Sequence, residues 1–529
     1  MSREFTRRGF VRGACVAGPL VGAMSADDTE TGSQSRLNSA LKLRQRTAAV
    51  QNARPLAPIS ANGDETNVPD RIGCFTKGLS QNNFGEVRPA AYDALLAALK
   101  SGKYADFDRV PRAGGRKLSN PVSAFAFHLE GGDSHQFGTP PAPSITSEAG
   151  AWETSELYWQ ALCREVPFES YSSSLVIRQA ADHLGVTPAA IFRGSSKGDL
   201  SGPYISQFLL KPIPYGSGKL EQRYRVPVPE CDFVTSVSEW SQIQTGLPPW
   251  REASYDPTPR YIRNGRDLAE YVHYDFPYQA YLNAALILFN NGPETILNCN
   301  PFKNPANPYR KSTRQEGFVT FGQAEITDWL ARVSTAALKA AYYQKWMVHR
   351  RVRPEALGGL VHFTKVGQRK YPVHAALLSS PAVDAVFSKS GTYLLPQAYP
   401  EACPLHPSYP SGHAVIGGAC SIMLKALFDG SMLLPGCVKV GADGTSLLPL
   451  PDYSPTIGEE IDKLVFNIAM GRDWAGIHYR SDAVSGLRLG EDVAISILQD
   501  LVGTCAEDFQ GFSLTRLDGT TVNIAKGTA

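Results

Sequence analysis

Residues 405–413 read LHPSYPSGH, and this stretch decides how the C-terminal part of the chain is interpreted. Its prolines predict a tight turn, and a helix should begin near Pro410. The buried face of that helix is predicted by apolar residues at steps of four: Val415, Ala419, Met423 and Leu427. The N-terminus of a helix offers free N–H groups and a partial positive charge to an anion. The backbone of Gly412 and the hydroxyl of Ser411 could add hydrogen bonds there, and His413 is placed to transfer protons.

A second amphipathic helix precedes this stretch and begins near Gln323. Its apolar stripe is formed by Leu330, Val333, Ala337 and Ala341. The next step of four reaches Lys345, so a lysine falls on the face that packing makes apolar. We expect this helix to end at Arg353, because Pro354 disfavours helical geometry in the residue before it.

A third helix repeats the pattern closer to the C-terminus. Its buried stripe is formed by Ile461, Leu464, Val465 and Ile468. The next step of four is Arg472, which again places a cation on the inward face. His478 follows six residues later, and Asp482 lies four residues beyond it, where its carboxylate could orient the imidazole.

The three cations Lys345, Arg353 and Arg472 indicate a bound anion. Buried Lys and Arg side chains need partners, because an unpaired desolvated charge is very costly. Asp473 and Asp482 are the nearby carboxylates, and each could pair with one cation. A multivalent oxyanion would satisfy all three cations at once, through the planar donor fork of arginine and the compact charge of lysine. The sequence therefore predicts an oxyanion pocket.

Three ordered motifs carry a resemblance to a known superfamily. Seven residues separate Lys345 from Arg353, and the PSGH turn at residues 410–413 comes next. Five residues then separate Arg472 from His478. This arrangement resembles the signature of the superfamily that contains type-2 phosphatidic acid phosphatases, bacterial acid phosphatases and vanadium haloperoxidases.

Within that superfamily the chain is similar to the bromoperoxidases of red algae and their cyanobacterial and bacterial relatives. The spacing of the first motif matches theirs, and His406 stands seven residues before His413, where fungal chloroperoxidases carry an aromatic residue. Residues 118–132 and 140–168 also resemble the N-terminal half of the algal enzymes. The resemblance covers about residues 71–510, which is more chain than a small phosphatase needs.

The resemblance implies a mainly α fold with two helical bundles, and a vanadate ion as cofactor. It implies that the vanadate is held by Lys345, Arg353, Ser411, Gly412, Arg472 and His478. His478 would be the covalent ligand of vanadium, with Asp482 or a backbone carbonyl fixing its other ring nitrogen. His413 would be the acid–base catalyst, Lys345 would polarise the bound peroxide, and His406 would line the approach of the halide.

The implied activity is the oxidation of bromide by hydrogen peroxide to hypohalous acid, which halogenates a small organic acceptor. Iodide and chloride are further candidate halides, and the algal relatives imply a homo-oligomer. A calcium site stays open, because residues 301–316 do not align clearly with the calcium-binding segment of a red-algal enzyme. Two alternative functions also stay open: a phosphatase of the same superfamily that uses His478 as nucleophile, and a non-catalytic oxyanion-binding protein.

Composition and charge limit the partners. The chain has 52 Lys and Arg against 50 Asp and Glu, a net charge of +2, without a block of five or six like charges. We therefore expect no nucleic-acid partner. We also expect no membrane partner, since no stretch approaches the roughly 18 apolar residues of a membrane span. The cysteines are scattered without a C-x-x-C pair, which argues against a zinc or iron–sulfur cluster and leaves disulfides open.

The N-terminus resembles an export signal. Residues 6–11, TRRGFV, are similar to a twin-arginine motif, and a short apolar stretch follows them. We assign residues 1–30 to this signal and expect a periplasmic or secreted mature protein. Without a working signal the protein would stay in the cytoplasm.

The remaining chain divides into a linker and one large domain. Residues 31–70 are polar and lack an apolar period, which predicts a linker or an extended arm. Residues 71–529 should form the haloperoxidase domain. We expect helices and loops in its first half, residues 71–310, and the vanadate-binding helices in its second half, residues 311–529.

Overall fold

The computed structural model describes residues 32–289 and 301–525. The predicted export signal at residues 1–30 lies outside the described residues. Helices make up most of the described secondary structure, which confirms the prediction of a mainly α fold. The α-helices are α1 (Ser33–Asn52), α2 (Asp64–Asn67), α3 (Pro89–Ser101), α4 (Tyr104–Phe107), α5 (Glu148–Cys163), α6 (Leu175–Leu184), α7 (Lys197–Leu200), α8 (Val237–Gln244), α9 (Gly265–Tyr274), α10 (Gln279–Phe289), α11 (Gln323–Tyr343), α12 (Pro354–Lys365), α13 (Ala375–Leu378), α14 (Pro381–Ser390), α15 (Gly412–Leu427), α16 (Ile457–Trp474) and α17 (Arg480–Thr504).

Short elements connect these helices. The described strands pair as antiparallel hairpins: β1 (Ile213–Tyr215) with β2 (Gly218–Leu220), β3 (Val438–Val440) with β4 (Leu447–Pro449), and β5 (Gly511–Thr515) with β6 (Thr521–Ala525). Turns of 3-10 helix lie at Pro69–Arg71, Pro121–Phe125, Ser134–Gln136, Phe168–Ser170, Gln207–Leu209, Pro301–Lys303 and Pro308–Lys311. Within residues 32–289 and 301–525, no helix has the length and apolarity needed to cross a lipid bilayer.

The chain separates into two units, residues 1–50 and residues 51–529. The described part of the first unit is most of α1, whose side chains are largely exposed. The sequence predicted a linker or an extended arm over residues 31–70, and within this range residues 33–52 form the exposed helix α1. The segment lacks an apolar stripe, but it is rich in Ala, Leu, Lys, Arg and Gln, which favour helix without a buried face.

One bundle of the second unit consists of α11, α15, α16 and α17, which pack against one another. The apolar stripes predicted for the first three of these helices are buried, so the three predicted faces are confirmed. From earlier in the chain, α9 packs against α16, and α10 packs against α11 and α15. Residues on both sides of position 310 therefore share one hydrophobic core.

A second group of helices is centred on α5, which packs against α6, α13 and α14. Next to it, α12 contacts both α13 and α8. The predicted architecture of two helical bundles is thereby confirmed. Since α5 also contacts α16, the two groups meet beneath the C-terminal end of α16.

Glycines bring α15 and α17 into close contact. A Cβ atom added at Gly418 would lie 1.9 Å from the carbonyl oxygen of Leu487, and one added at Gly490 would lie 2.0 Å from that of Val415. No side chain fits at either distance. The contact places the first turns of the two helices side by side.

The helix that begins at Gln323 ends earlier than predicted. After α11 comes a segment of π-helix, Gln344–His349, and Arg350 then takes a left-handed backbone conformation with φ of 42°. Arg353 is extended and lies at the N-cap position of α12. Pro354 therefore opens the next helix, where its missing N–H is tolerated, and does not end the previous one.

Candidate functional site

The imidazole of His478 is buried in the short connection between α16 and α17. Its Nδ1 lies 2.8 Å from Oδ2 of Asp482, in the first turn of α17. Burial lowers the pKa of His478 well below its usual value, and Arg353 lowers it further, so the ring is neutral near neutral pH. Because the carboxylate accepts, Nδ1 must donate, and Nε2 is the unprotonated nitrogen with the acceptor lone pair.

Asp482 is itself held by several donors. Nη1 of Arg351 lies 2.8 Å from its Oδ1, and the hydroxyl of Ser408 donates to its Oδ2. Burial alone would raise the pKa of Asp482, but the charge of Arg351 and the hydrogen bonds outweigh burial and lower it. Arg351 also pairs with the buried Glu153 of α5. The orientation of the imidazole therefore depends on a buried ionic network.

Arg353 contacts two of the predicted site histidines, His478 and His406. Its Nη1 lies 3.1 Å from Nε2 of His478 and donates to the carbonyl oxygen of Ile477 at 2.8 Å. Its Nε donates to the carbonyl oxygen of His406 at 2.8 Å, and its Nη2 lies 2.9 Å from Nδ1 of the same residue. The guanidinium is thus fixed on the Nε2 side of His478, where it donates to the lone pair of that nitrogen.

Lys345 is fully buried in the π-helical segment that follows α11. Its Nζ donates to the carbonyl oxygens of Pro407 and Ser408, at 2.9 and 2.7 Å. Burial lowers the pKa of Lys345 well below its usual value, and the charges of Arg353 and Arg472 lower it further. Lys345 and Arg353 therefore both donate to carbonyl oxygens of residues 406–408.

Arg472 ends the inward face of α16, as its position in the stripe predicts. Its Nη1 donates to the carbonyl oxygen of Val272 at 2.6 Å, and its guanidinium carbon lies 5.5 Å from the ring centre of Tyr399. Its Nε is buried and has no hydrogen-bond partner among the described residues. This N–H is therefore available to a bound ligand.

The first turn of α15 supplies further donors. Ser411 is the N-cap residue, and its backbone N–H donates to the carbonyl oxygen of Asp482 at 3.0 Å. Its hydroxyl is buried, and no described residue hydrogen-bonds to it. At Gly412 an added Cβ would approach Cδ1 of Leu338 to 3.2 Å. A larger residue would crowd the helix end, which carries free N–H groups.

His413 lies on the same turn and is about a quarter exposed. Its Nε2 is 2.9 Å from Oδ1 of Asp275, which follows α9 directly. The Asp275 carboxylate is nearly fully buried, so it can orient the ring and stabilise an imidazolium. His413 combines access from solvent with a fixed hydrogen-bond partner.

The buried cations lack the carboxylates that the sequence offered. The sequence left Asp473 and Asp482 as possible partners of one cation each, but among the described residues neither forms an ion pair with Lys345, Arg353 or Arg472. Asp482 pairs with Arg351, and both oxygens of Asp473 lack hydrogen-bond partners among the described residues. Burial raises the pKa of Asp473 well above its usual value, which favours its neutral form.

The donor set therefore fits a multivalent oxyanion. In the part of the chain that the structure describes, no ion pair includes Lys345, Arg353 or Arg472. Two further donors, the Ser411 hydroxyl and the Arg472 Nε, are buried without partners. An anion with several oxygens would satisfy these donors together, and Nε2 of His478 could bind its central atom if the Arg353 N–H turned to an anion oxygen.

Comparisons with known proteins agree with this geometry. A family model described as the second helical-bundle domain of VCPO matches residues 392–504. Vanadium-dependent bromoperoxidases from Corallina pilulifera and Corallina officinalis are each 33% identical to this chain, covering 93% of it and 99% of the relative. The chain belongs to the vanadium-dependent haloperoxidase family. The solved homohexameric structure of the second vanadate-dependent bromoperoxidase of Ascophyllum nodosum is similar, with a TM-score of 0.87 and 30% identity over 99% of this chain and 95% of that chain. The predicted family resemblance is confirmed.

Two residues of this haloperoxidase site were missed by sequence reasoning. Asp275 lies 138 residues before His413, so no local pattern connects them. Arg351 carries a weak signal, since it stands two residues before Arg353 and shares its RVRP stretch. Its side chain turns to Asp482 and away from the anion donors, which the sequence alone does not reveal.

The sequence left a calcium site and disulfides open for this haloperoxidase chain. Within the described ranges, including residues 301–316 where calcium stayed open, no group of three or more His, Cys, Asp or Glu side chains could hold a metal ion. The described cysteines with free thiols are Cys74, Cys163, Cys231, Cys403, Cys420 and Cys437. Cys15 and Cys299 lie outside the described residues.

Proposed function

We propose that this protein is a vanadate-dependent haloperoxidase that oxidises bromide with hydrogen peroxide. The product is hypobromous acid, which halogenates a small organic acceptor; iodide and chloride are further candidate halides. The observation that carries the proposal is a pair of buried donors without described partners, the Ser411 hydroxyl and the Arg472 Nε, together with the Arg353 contact to Nε2 of His478 and the contact between His413 and Asp275.

In this proposal vanadate is the resident cofactor. Lys345, Arg353 and Arg472 would balance the charge of its oxygens, and the Ser411 hydroxyl and Gly412 N–H would add hydrogen bonds. Nε2 of His478 would bind the vanadium, with the Nδ1 bond to Asp482 fixing the ring. When bound, vanadate supplies a Lewis-acidic centre that activates peroxide, and the oxidation state of vanadium does not change.

Proton handling is assigned to His413. Halide, hydrogen peroxide and one proton give hypohalous acid and water, so each turnover consumes a proton. His413 can take a proton from incoming peroxide and return it to the departing oxygen, while Asp275 holds Nε2 at 2.9 Å. Lys345 would polarise the bound peroxide. His406, held by Arg353 and lying 5.4 Å from the ring of Tyr342, would line the approach of the halide.

Export, assembly and domain boundaries belong to the same proposal. The TRRGFV motif at residues 6–11 supports twin-arginine export and a periplasmic or secreted location. The homohexameric Ascophyllum nodosum relative supports a homo-oligomer. We place the haloperoxidase domain at residues 71–529, with halves that meet near residue 310.

Reconstitution with vanadate tests this function. Metal-free protein is incubated with orthovanadate, desalted, and analysed for vanadium and for bromination of a phenolic dye. We expect about one vanadium per chain and a bromination rate that requires both peroxide and bromide. Hydrolysis of a phosphate monoester without peroxide-dependent bromination would instead identify a phosphatase.

Two variants separate the roles of the histidines. His478→Ala should retain no vanadium, because the ligand nitrogen is lost. His413→Ala should retain vanadium but lose bromination, because the proton carrier is lost. His135→Ala, at an exposed His–Asp pair, is the control and should match the parent protein.

A further inference from the structure

The C-terminal end of α9 holds two separate parts of the anion pocket. The carbonyl oxygen of Val272 accepts the hydrogen bond from Nη1 of Arg472 at 2.6 Å. Three residues later, Oδ1 of Asp275 lies 2.9 Å from Nε2 of His413. We call residues 272–275 the α9 end. A movement of this segment would displace a charge-balancing residue and the acid–base residue together.

His273 fastens the α9 end to the loop that follows α14. Its Nε2 lies 2.6 Å from Oε1 of Glu401, and its side chain is 13% exposed. Its ring stacks on the ring of Tyr399, with centres 3.7 Å apart and planes 7° from parallel. An ion pair and a stacked aromatic contact thus fix one imidazole from two directions.

Tyr399 extends this contact to the pocket. Its hydroxyl donates to the carbonyl oxygen of Ala269 in α9 at 2.6 Å. The same oxygen lies 3.5 Å from Nη1 of Arg472, whose guanidinium also lies over the ring. His273, Tyr399 and Arg472 therefore form a continuous stack that ends at a proposed anion donor.

Charge around His273 favours its protonated form. The charged and titratable groups that face it are Glu270 and Tyr274 of α9, Tyr399 and Glu401 of the loop, and Arg472 of α16, with Lys77 and Arg116 behind Glu401. Burial lowers the pKa of His273, but the two glutamates outweigh burial and raise it. The ion pair between His273 and Glu401 is therefore fully formed below the ordinary histidine pKa. It is lost as the pH rises through the raised pKa of His273.

We propose that His273 is a positioning residue of the anion pocket. Its ion pair with Glu401 and its stacking on Tyr399 hold the α9 end, and with it the hydrogen-bond partners of Arg472 and His413. The proposal rests on the proposed function, since it assumes that the pocket binds vanadate. It makes anion affinity depend on the protonation of a residue that touches neither vanadate nor peroxide.

Titration of the metal-free protein with orthovanadate tests this role, by calorimetry at about pH 6 and about pH 9. His273→Phe keeps an aromatic ring on Tyr399 but loses the ion pair, and Glu401→Gln removes only the charge. We expect both variants to bind vanadate about tenfold more weakly than the parent at the lower pH. The difference should shrink at the higher pH, where the parent has lost its ion pair. His135→Phe, at the exposed pair with Asp133, should match the parent at both pH values.

Each variant is compared with the parent at the same pH, so the protonation of vanadate itself does not contribute to the difference in affinity. Folding of each variant is checked by its thermal midpoint, and Glu401→Gln has nearly the shape of the native residue. Equal affinity of both folded variants and the parent near pH 6 would overturn the proposal, and so would a deficit of the same size at both pH values. If the parent protein binds no vanadate, the proposed function fails as well; if it binds tightly and the variants equal it, only the role of His273 fails.

Discussion

Ser411 and Arg472 each bury a donor that no described residue accepts from. Leaving such a group unpaired costs about 1–3 kcal/mol of stability. Lys345 adds a buried ammonium whose pKa is lowered by burial and by neighbouring cations. These three residues therefore reduce the stability of the anion-free protein, and a bound anion would supply the contacts that they lack.

Replacing Ser411 by Ala separates binding from folding. The hydroxyl makes no hydrogen bond to a described residue, so the free energy of unfolding should stay the same or rise slightly. Vanadate affinity should fall about tenfold, because a hydrogen bond to a charged ligand is lost. Isothermal titration with orthovanadate and thermal unfolding measure the two effects.

Ser421→Ala is the matched control on the same helix. The Ser421 hydroxyl donates to the carbonyl oxygen of Gly418 at 2.8 Å and is buried. Its loss should reduce stability by about 1 kcal/mol and leave vanadate affinity unchanged. A Ser411 variant that loses stability but keeps its affinity would show that the hydroxyl has a structural role only.

For single residues, the sequence predicted which side chains face inward but not which groups form hydrogen bonds or ion pairs with the site residues. Lys345 and Arg472 continue apolar stripes, so helical periodicity alone places them inside. Asp275 and Glu401 come from distant parts of the chain, and their contacts with histidines depend on tertiary packing. Asp473 is next to Arg472 in sequence, but among the described residues the two form no ion pair.

The helices set the geometry of the pocket through their ends. A π-helical segment and the left-handed Arg350 turn the chain after α11. That turn lets Lys345 lie on one helix while Arg353 caps the next. The sequence predicted the stripe of α11 and the proline boundary, but a π-helical turn has no simple sequence pattern.

The contact between α15 and α17 gives a prediction about stability. Gly418→Ala should reduce the free energy of unfolding by about 1–3 kcal/mol, because the methyl group would overlap the backbone of Leu487. The shift should also move Ser411 relative to Asp482 and weaken vanadate binding. Gly115→Ala, where an added Cβ would meet nothing within 4 Å, should keep or raise stability. Equal stabilities of the two variants would contradict the close contact.

Over the whole molecule, the pocket collects residues from Val272 to Asp482. Residues 345–478 provide the anion donors, and the earlier helix α9 supports Arg472 and His413. The sequence predicted the fold class and the family, and it predicted α11, α15 and α16 of the four bundle helices. It did not predict that α9 packs on this bundle, because that contact depends on packing between elements far apart in the chain.

A crystal structure of the vanadate-loaded protein, with anomalous diffraction to locate vanadium, tests the central claim most directly. We expect one anomalous peak per chain at bonding distance from Nε2 of His478, with oxygens in contact with Lys345, Arg353, Arg472 and the first turn of α15. A vanadium peak elsewhere in the molecule, or an empty pocket at saturating vanadate, would contradict the account.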